Sequence, residues 1–200
     1  MTLRVDVPPT YPPGCKVVFC GESPWVDEYR TKEGFTGRAG RLLDKVMWGA
    51  ALSRETVGLT NVTKRTPDYE FLDADFKKGF YVREKAGRKT VTQPSHELLE
   101  WYKVLALELA KARPNVVVAC GNEALQALCG VSGIMTYRGS ILPSSLVPGL
   151  KVIPLLHPSY ILKKALWQEL FVSSWIVHDK VVPQSLFPEI RYEPWTEFID

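Results

Sequence analysis

Four short runs of aliphatic and β-branched residues constrain this chain more than any other feature: Lys16–Cys20 (KVVFC), Thr56–Thr60 (TVGLT), Asn115–Cys120 (NVVVAC) and Lys151–Leu156 (KVIPLL). Each has the length of a strand, and continuous apolar runs suit strands covered on both faces. Helical periods lie between them. Arg38–Ala51 sets Leu42, Leu43, Val46 and Met47 on one stripe. Pro94–Ala112 does the same with Leu98, Tyr102, Leu105, Leu109 and Ala112, and Arg113-Pro114 ends it. Asn122 is expected to cap a short helix, EALQAL, and Tyr160–Lys180 reads as one last long helix. Strands alternating with helices predict an α/β fold, a three-layer sandwich whose central four-stranded parallel sheet is flanked by helices.

A length of 200 residues fits a single domain spanning 1–200, and 46% hydrophobic residues supply its core. The net charge of +3 is too small to specify a polyanionic partner, but its distribution is uneven. Lys77, Lys78, Arg83, Lys85, Arg88 and Lys89 face only Glu84, within a stretch of about 66–93 that lacks a clear period and reads as a basic insertion or mobile excursion. The tail, about 183–200, is acidic, with Glu189, Glu193, Glu197 and Asp200 against Arg191. The start MTLRVDVPPTYPPG lacks the apolar core of a signal peptide, and no run of about 18 apolar residues occurs. An intracellular, cytoplasmic protein without a membrane partner is expected. Cys15, Cys20, Cys120 and Cys129 are spaced C-x4-C and C-x8-C, neither a standard zinc nor a disulfide framework, so buried free thiols and no metal are expected.

In a doubly wound sheet, ligands bind beyond the carboxyl ends of the strands. The polar residues of this chain cluster there. Gly21-Glu22-Ser23-Pro24 follows the first run, Asn61 the second, Gly121-Asn122 the third and His157-Pro158-Ser159 the fourth. Each has a bland alternative, such as an Asn stabilising a turn or a carboxylate accepting backbone N–H bonds. No P-loop, dinucleotide or nucleophile-elbow string is present.

The strings GESPWVDEYRTKEGFTGRAGRLL, LTNVTKRTP, PNVVVACGNEALQALCG and VIPLLHPSYILK, in this order, resemble the uracil-DNA glycosylase superfamily, most closely its family-four, iron-sulfur type. The likeness covers roughly residues 15–165 and implies a monofunctional glycosylase that flips uracil from DNA and hydrolyses its N-glycosidic bond. By that resemblance Phe35 stacks on the base, the Asn61 amide reads uracil against cytosine, and His157 donates to the departing base. Glu22 then positions water or stabilises the sugar cation, with Ser23 second to it. Trp25 or Glu28 lies where relatives block the pyrimidine C5 position. Ser159 and Lys163 are expected beside the DNA phosphates, Tyr160, Ile161 or Leu162 as a wedge in the vacated stack, and Lys64 and Arg65 as added DNA-binding charge. His96 and His178, outside the motifs, are expected to face solvent.

The pattern also breaks. Thr66–Val116 contains no cysteine where the family-four type carries cluster ligands, so no iron-sulfur cluster and no other cofactor is expected. Trp25 replaces a usual glycine. A glycosylase for a modified pyrimidine, for example in viral DNA, therefore stands as an alternative, as does a noncatalytic DNA-binding or replication accessory module. DNA is the expected partner, bound by a monomer.

Overall fold

The computed structural model describes residues 3–65, 81–86 and 89–180, with the backbone alone for 81–86 and 89–92. Lys77, Lys78, Arg88 and the acidic tail, together with any role assigned to them, lie outside the described residues.

The first strand, β1 (Val17–Gly21), pairs in parallel with β2 (Gly58–Asn61) on one side and β5 (Val116–Cys120) on the other. Next to β5 lies β7 (Lys151–Leu155), also parallel, and a two-residue strand β6 (Leu142–Pro143) closes the edge antiparallel to it. The sheet order is therefore β2-β1-β5-β7-β6. The four expected parallel strands are present. The fifth was not expected, because two residues carry no periodicity.

The register explains why the apolar runs are continuous. Val17 and Phe19 of β1, Val116 and Val118 of β5, and Ile153 and Leu155 of β7 pack into one cluster. Covering that face are α2 (Arg38–Gly49), through Leu43, Val46 and Met47, and α7 (Gln168–Lys180), through Ile176 and Val177. The intervening residues Val18, Cys20, Val117, Ala119 and Val152 face the other cluster, covered by α3 (His96–Ala112) and α4 (Asn122–Cys129). Trp101, Leu105 and Leu109 of α3 and Leu125 and Leu128 of α4 are fully buried there. Alternate side chains of one strand thus enter two different cores, where an unpaired polar group is costly.

Three local expectations need correction. First, the stretch expected as one helix from Tyr160 is two: α6 (Pro158–Lys164) and α7. Ala165 takes a left-handed conformation (φ 51°, ψ 36°) and its N–H bonds the carbonyls of Ile161 and Leu162, which ends α6 although the apolar spacing runs on. Second, Asn122 does not cap α4. Gly121 is its N-cap, and the Asn122 side chain instead accepts N–H bonds from Gly133 (3.0 Å) and Ile134 (2.8 Å), tethering the short helix α5 (Ile134–Tyr137). Third, the aperiodic stretch contains an antiparallel hairpin, β3 (Tyr81–Ala86) with β4 (Lys89–Pro94), in register Tyr81↔Pro94 to Ala86↔Lys89. Its sequence mixes Thr, Lys, Arg and Glu with few apolar residues, so no buried face showed as a period. His96 and His178 are exposed as expected. Among the described residues no helix is long and apolar enough to cross a membrane.

The left-handed alanine offers a test. An L side chain there carries a steric penalty of about 1 kcal/mol that glycine does not. Ala165→Gly should therefore leave the fold unchanged and raise its stability by up to about 1 kcal/mol in urea unfolding. A loss of stability would show that the break between α6 and α7 does not rest on this residue.

Candidate active site

The order of the parallel strands reverses between β1 and β5, which makes the carboxyl ends of these two strands the switch point where ligands of such sheets bind. A cleft of about 430 Å3 opens there. It is bordered by Glu22 and Ser23 after β1, Gly121 and Asn122 after β5, and His157, Ser159, Tyr160 and Lys163 after β7. Its volume suits a small organic ligand.

His157 is the N-cap of α6, and Pro158 follows it at the first helical position, where a missing N–H removes nothing. Its Nδ1 accepts the backbone N–H of Ser159 (3.1 Å) and lies 2.7 Å from the Ser159 hydroxyl. A nitrogen that accepts cannot carry the proton. The neutral ring is therefore protonated at Nε2, which makes it a donor. Gly121, at φ 99°, lets the β5 turn approach the ring: a Cβ on it would sit 3.1 Å from the His157 Cβ.

Asn61 and Phe35 meet at Gly21, the last residue of β1. A Cβ on Gly21 would collide with the Asn61 Oδ1 and come within 2.8 Å of the Phe35 Cζ. Both side chains are buried and lie against this glycine rather than in the lining of the cleft, directly before Glu22. Phe35 itself is held in a left-handed conformation, φ 57°, which a bulky residue rarely adopts. Two neighbours account for that. Gly40 of α2 has no room for a Cβ because the Phe35 backbone occupies the space. Arg54, oriented by Asp44 (2.7 Å), donates to the carbonyls of Gly34 (3.0 Å) and Phe35.

Not every expected residue keeps its role. Glu28 is buried, and its carboxylate accepts the N–H of Trp25 (3.0 Å) and of Gly37 (3.1 Å), tying the start of α1 (Val26–Thr31) to the N-cap of α2. With both carboxylate oxygens on backbone amides, it acts as a structural tie, and it lines a second cleft beside Trp25. Trp25 is 48% exposed and borders both the main cleft and a neighbouring one of about 340 Å3. Lys64 is 1% exposed and ion-paired with Glu108 at 2.8 Å, so it is not available to a phosphate. Arg65 is tied to Glu97 (3.1 Å) and is not in the lining of either cleft. Ser159, Tyr160 and Lys163 line the main cleft, and Leu162 lines the neighbouring one. Ile161 is buried in the core and cannot serve as a wedge.

Sequence reasoning missed Arg54, Glu123, Ile134 and Met135. The last three line the cleft, and Met135 is 62% exposed. Glu123 lies within one of the quoted strings but was given no role, and the other three lie in no recognisable motif. The only signal for α5 was Asn122 itself, which was read as a cap instead of a tether.

The cysteines do not fit an iron-sulfur cluster. All four are free: Cys20 and Cys120 are buried within adjacent strands, Cys15 is buried ahead of β1, and Cys129 ends α4. No group of three metal-ligating side chains gathers among the described residues. Burial pushes the Cys20 thiol up to about 12, with Glu108 adding to the shift and Lys64 opposing it, and burial also raises Cys15, Cys120 and Cys129. Thiols so raised stay protonated at neutral pH. Purified protein should be colourless, and a broad absorption near about 400 nm would contradict this placement. In native protein at pH 8, Cys15, Cys20 and Cys120 should resist a thiol reagent and become reactive only on unfolding. Fast native labelling of Cys20 or Cys120 would overturn their assignment to the core.

The comparisons with known proteins bear on the family of the chain. The family model of the Uracil DNA glycosylase superfamily matches residues 8–175. A Type-4 uracil-DNA glycosylase of Thermotoga maritima is 31% identical over 152 residues, covering 74% of this chain and 67% of that protein. Another, from Archaeoglobus fulgidus, is 29% identical over 164 residues, covering 79% and 72%. A DNA polymerase of Bacillus phage SP01 is 24% identical over 159 residues, 78% of this chain but only 15% of that protein. The match to the family model spans most of the sequence, from ahead of β1 into α7, and the chain belongs to the uracil DNA glycosylase superfamily.

Proposed function

We propose that this chain is a monofunctional uracil-DNA glycosylase, which takes uracil out of the DNA stack and hydrolyses its N-glycosidic bond to leave an abasic site. The single observation that carries the reading is the His157 ring: its Nδ1 is committed to Ser159, its Nε2–H is the remaining donor, and it borders the same cleft as Glu22. The names of the Thermotoga and Archaeoglobus relatives support it.

In this mechanism water adds to C1′ of the deoxyribose as the C1′–N1 bond breaks. The bonding pair leaves with the pyrimidine, and its charge spreads onto O2. His157 Nε2–H donates to that oxygen, an interaction that strengthens as charge develops. Glu22 orients the water, and the proton the water loses passes through this carboxylate to solvent. A base inside the duplex is out of reach of such groups, so it must first be flipped. Phe35 and Asn61, which stand behind Gly21 and outside the cleft lining, take their roles from the family resemblance: a stacking face, and an amide whose donor and acceptor sides match the O4 and N3–H of uracil and mismatch cytosine. Ser159 and Lys163 then meet the phosphates beside the flipped nucleotide, with Tyr160 at the vacated stack.

One observation favours a second reading, excision of a modified pyrimidine. Trp25, half-exposed at the junction of the two clefts, stands where the family-four pattern has glycine.

Single-turnover assays on oligonucleotides bearing one uracil, opposite A, opposite G or unpaired, with alkali to break abasic sites, test the proposal. Wild-type protein should cleave, and Asn61→Ala and His157→Ala should each slow cleavage by about two to four orders of magnitude, the scale of losing a preplaced transition-state donor. Unchanged rates in both variants would refute the site. Salt-sensitive DNA binding without cleavage of uracil would move the reading to modified pyrimidines, and, with those also intact, to an accessory module.

A further inference from the structure

The buried ion pair of Lys64 and Glu108 is left without a purpose once Lys64 is withdrawn from the DNA surface. Its geometry supplies one. The Lys64 ammonium donates to the backbone carbonyl of Asn61 at 2.6 Å and pairs with the Glu108 Oε2 of α3 at 2.8 Å. That same carboxylate oxygen accepts from the Thr60 hydroxyl (3.3 Å) and the Tyr11 hydroxyl (3.4 Å). Burial, with Glu108 adding to it, pushes the Tyr11 hydroxyl pKa upward, so this donor keeps its proton.

β2 is the edge strand of the sheet, and Leu59 satisfies its outer edge by exchanging both backbone hydrogen bonds with Thr10. At Asn61, two residues on and facing the same edge, the Lys64 ammonium takes the carbonyl instead. The intervening residues grip the other catalytic segment: the Val62 N–H bonds the Gly21 carbonyl (2.9 Å), and the Thr63 N–H bonds the Glu22 carbonyl (3.0 Å). The Lys64 carbonyl in turn accepts the N–H groups of Asp6 and Val7. One short turn, closed by its own lysine, therefore sets Asn61 and Glu22 relative to each other.

We propose that Lys64 and Glu108 are positioning residues, which hold the backbone of the base-reading Asn61 and, through Thr63, that of Glu22 in the register needed for excision. The inference rests on the glycosylase reading of Asn61. Folding alone does not ask for this pair, because replacing a buried ion pair by uncharged groups of similar size is often neutral or stabilising. A cation at the Asn61 carbonyl, anchored from a separate helix, is what such a replacement cannot reproduce.

The double variant Lys64→Met/Glu108→Gln keeps volume and removes both charges. Its melting temperature should stay within a few degrees of wild type, while single-turnover excision of uracil falls by roughly tenfold to a hundredfold at saturating DNA. The salt dependence of DNA binding should be unchanged, whereas a lost phosphate contact would reduce its logarithmic slope by about one. Free uracil should also inhibit the variant less strongly, a readout that a purely structural role would not move. Should the double variant not fold, Glu108→Gln alone, which weakens the anchor of the ammonium but leaves it an amide oxygen, should show a smaller loss of rate with unchanged DNA affinity. A wild-type rate in either folded variant, or a salt slope reduced by one, would overturn the proposal. Absence of cleavage by the wild-type protein would instead remove the glycosylase reading beneath it.

Discussion

Burial of both faces of the parallel strands is the constraint from which the arrangement of the site follows. In β1, β5 and β7 alternate residues enter two separate apolar cores, so these strands have almost no position for a polar side chain. Polar residues can begin only where a strand ends and the layers part. Glu22, Asn122 and His157 each stand one or two residues beyond a strand, and Asn61 is the last residue of its own. The sheet keeps all four carboxyl ends on one edge, so residues far apart in sequence meet without any of them crossing the core.

The same constraint makes the exceptions informative. Two charges enter this interior with their partners: Lys64 with Glu108 and the Asn61 carbonyl, Glu28 with two backbone amides. Each of these arrangements costs desolvation, and each ties together segments that carry site residues. Phe35 stores a different cost in its left-handed backbone, held by the close approach of Gly40 and by the Arg54 guanidinium. One buried cation and one left-handed backbone thus stand close to Gly21, where the amide and the aromatic ring meet. Sites that need fixed geometry are where a protein tolerates local cost.

What was legible in the sequence divides along the same line. The four strands were readable because two-sided burial leaves an unbroken apolar run, and the rim residues because the carboxyl ends of such runs are where ligands go. Side-chain partnerships were not readable. Lys64 and Arg65 looked like solvent-facing charge because nothing in TNVTKR announces Glu108 and Glu97, which come from a helix more than thirty residues away. That Glu28 is also a tie was hidden because its two amide partners are set by the folding of α1 against α2. The break at Ala165 was hidden for a related reason: an L residue in a left-handed conformation leaves no mark in composition, whereas glycine would have. Met135 and Arg54 carried no motif, and only the packing of α5 and the turn at Phe35 brings them to the site.

The mouth of the cleft adds a last step. Trp25, Met135 and Tyr160 are all large and apolar in character, substantially exposed, and supplied by three different elements around one opening. Single exposed apolar residues are common, but three converging on a cleft beside a lysine and a serine form a surface with stacking faces inside and phosphate-compatible groups at its rim. Every base offers a π-face whatever its identity, so such a surface is compatible with an unstacked nucleotide irrespective of sequence. Asn61 stands apart from this mouth, buried against Gly21, where an unmatched polar contact is most costly.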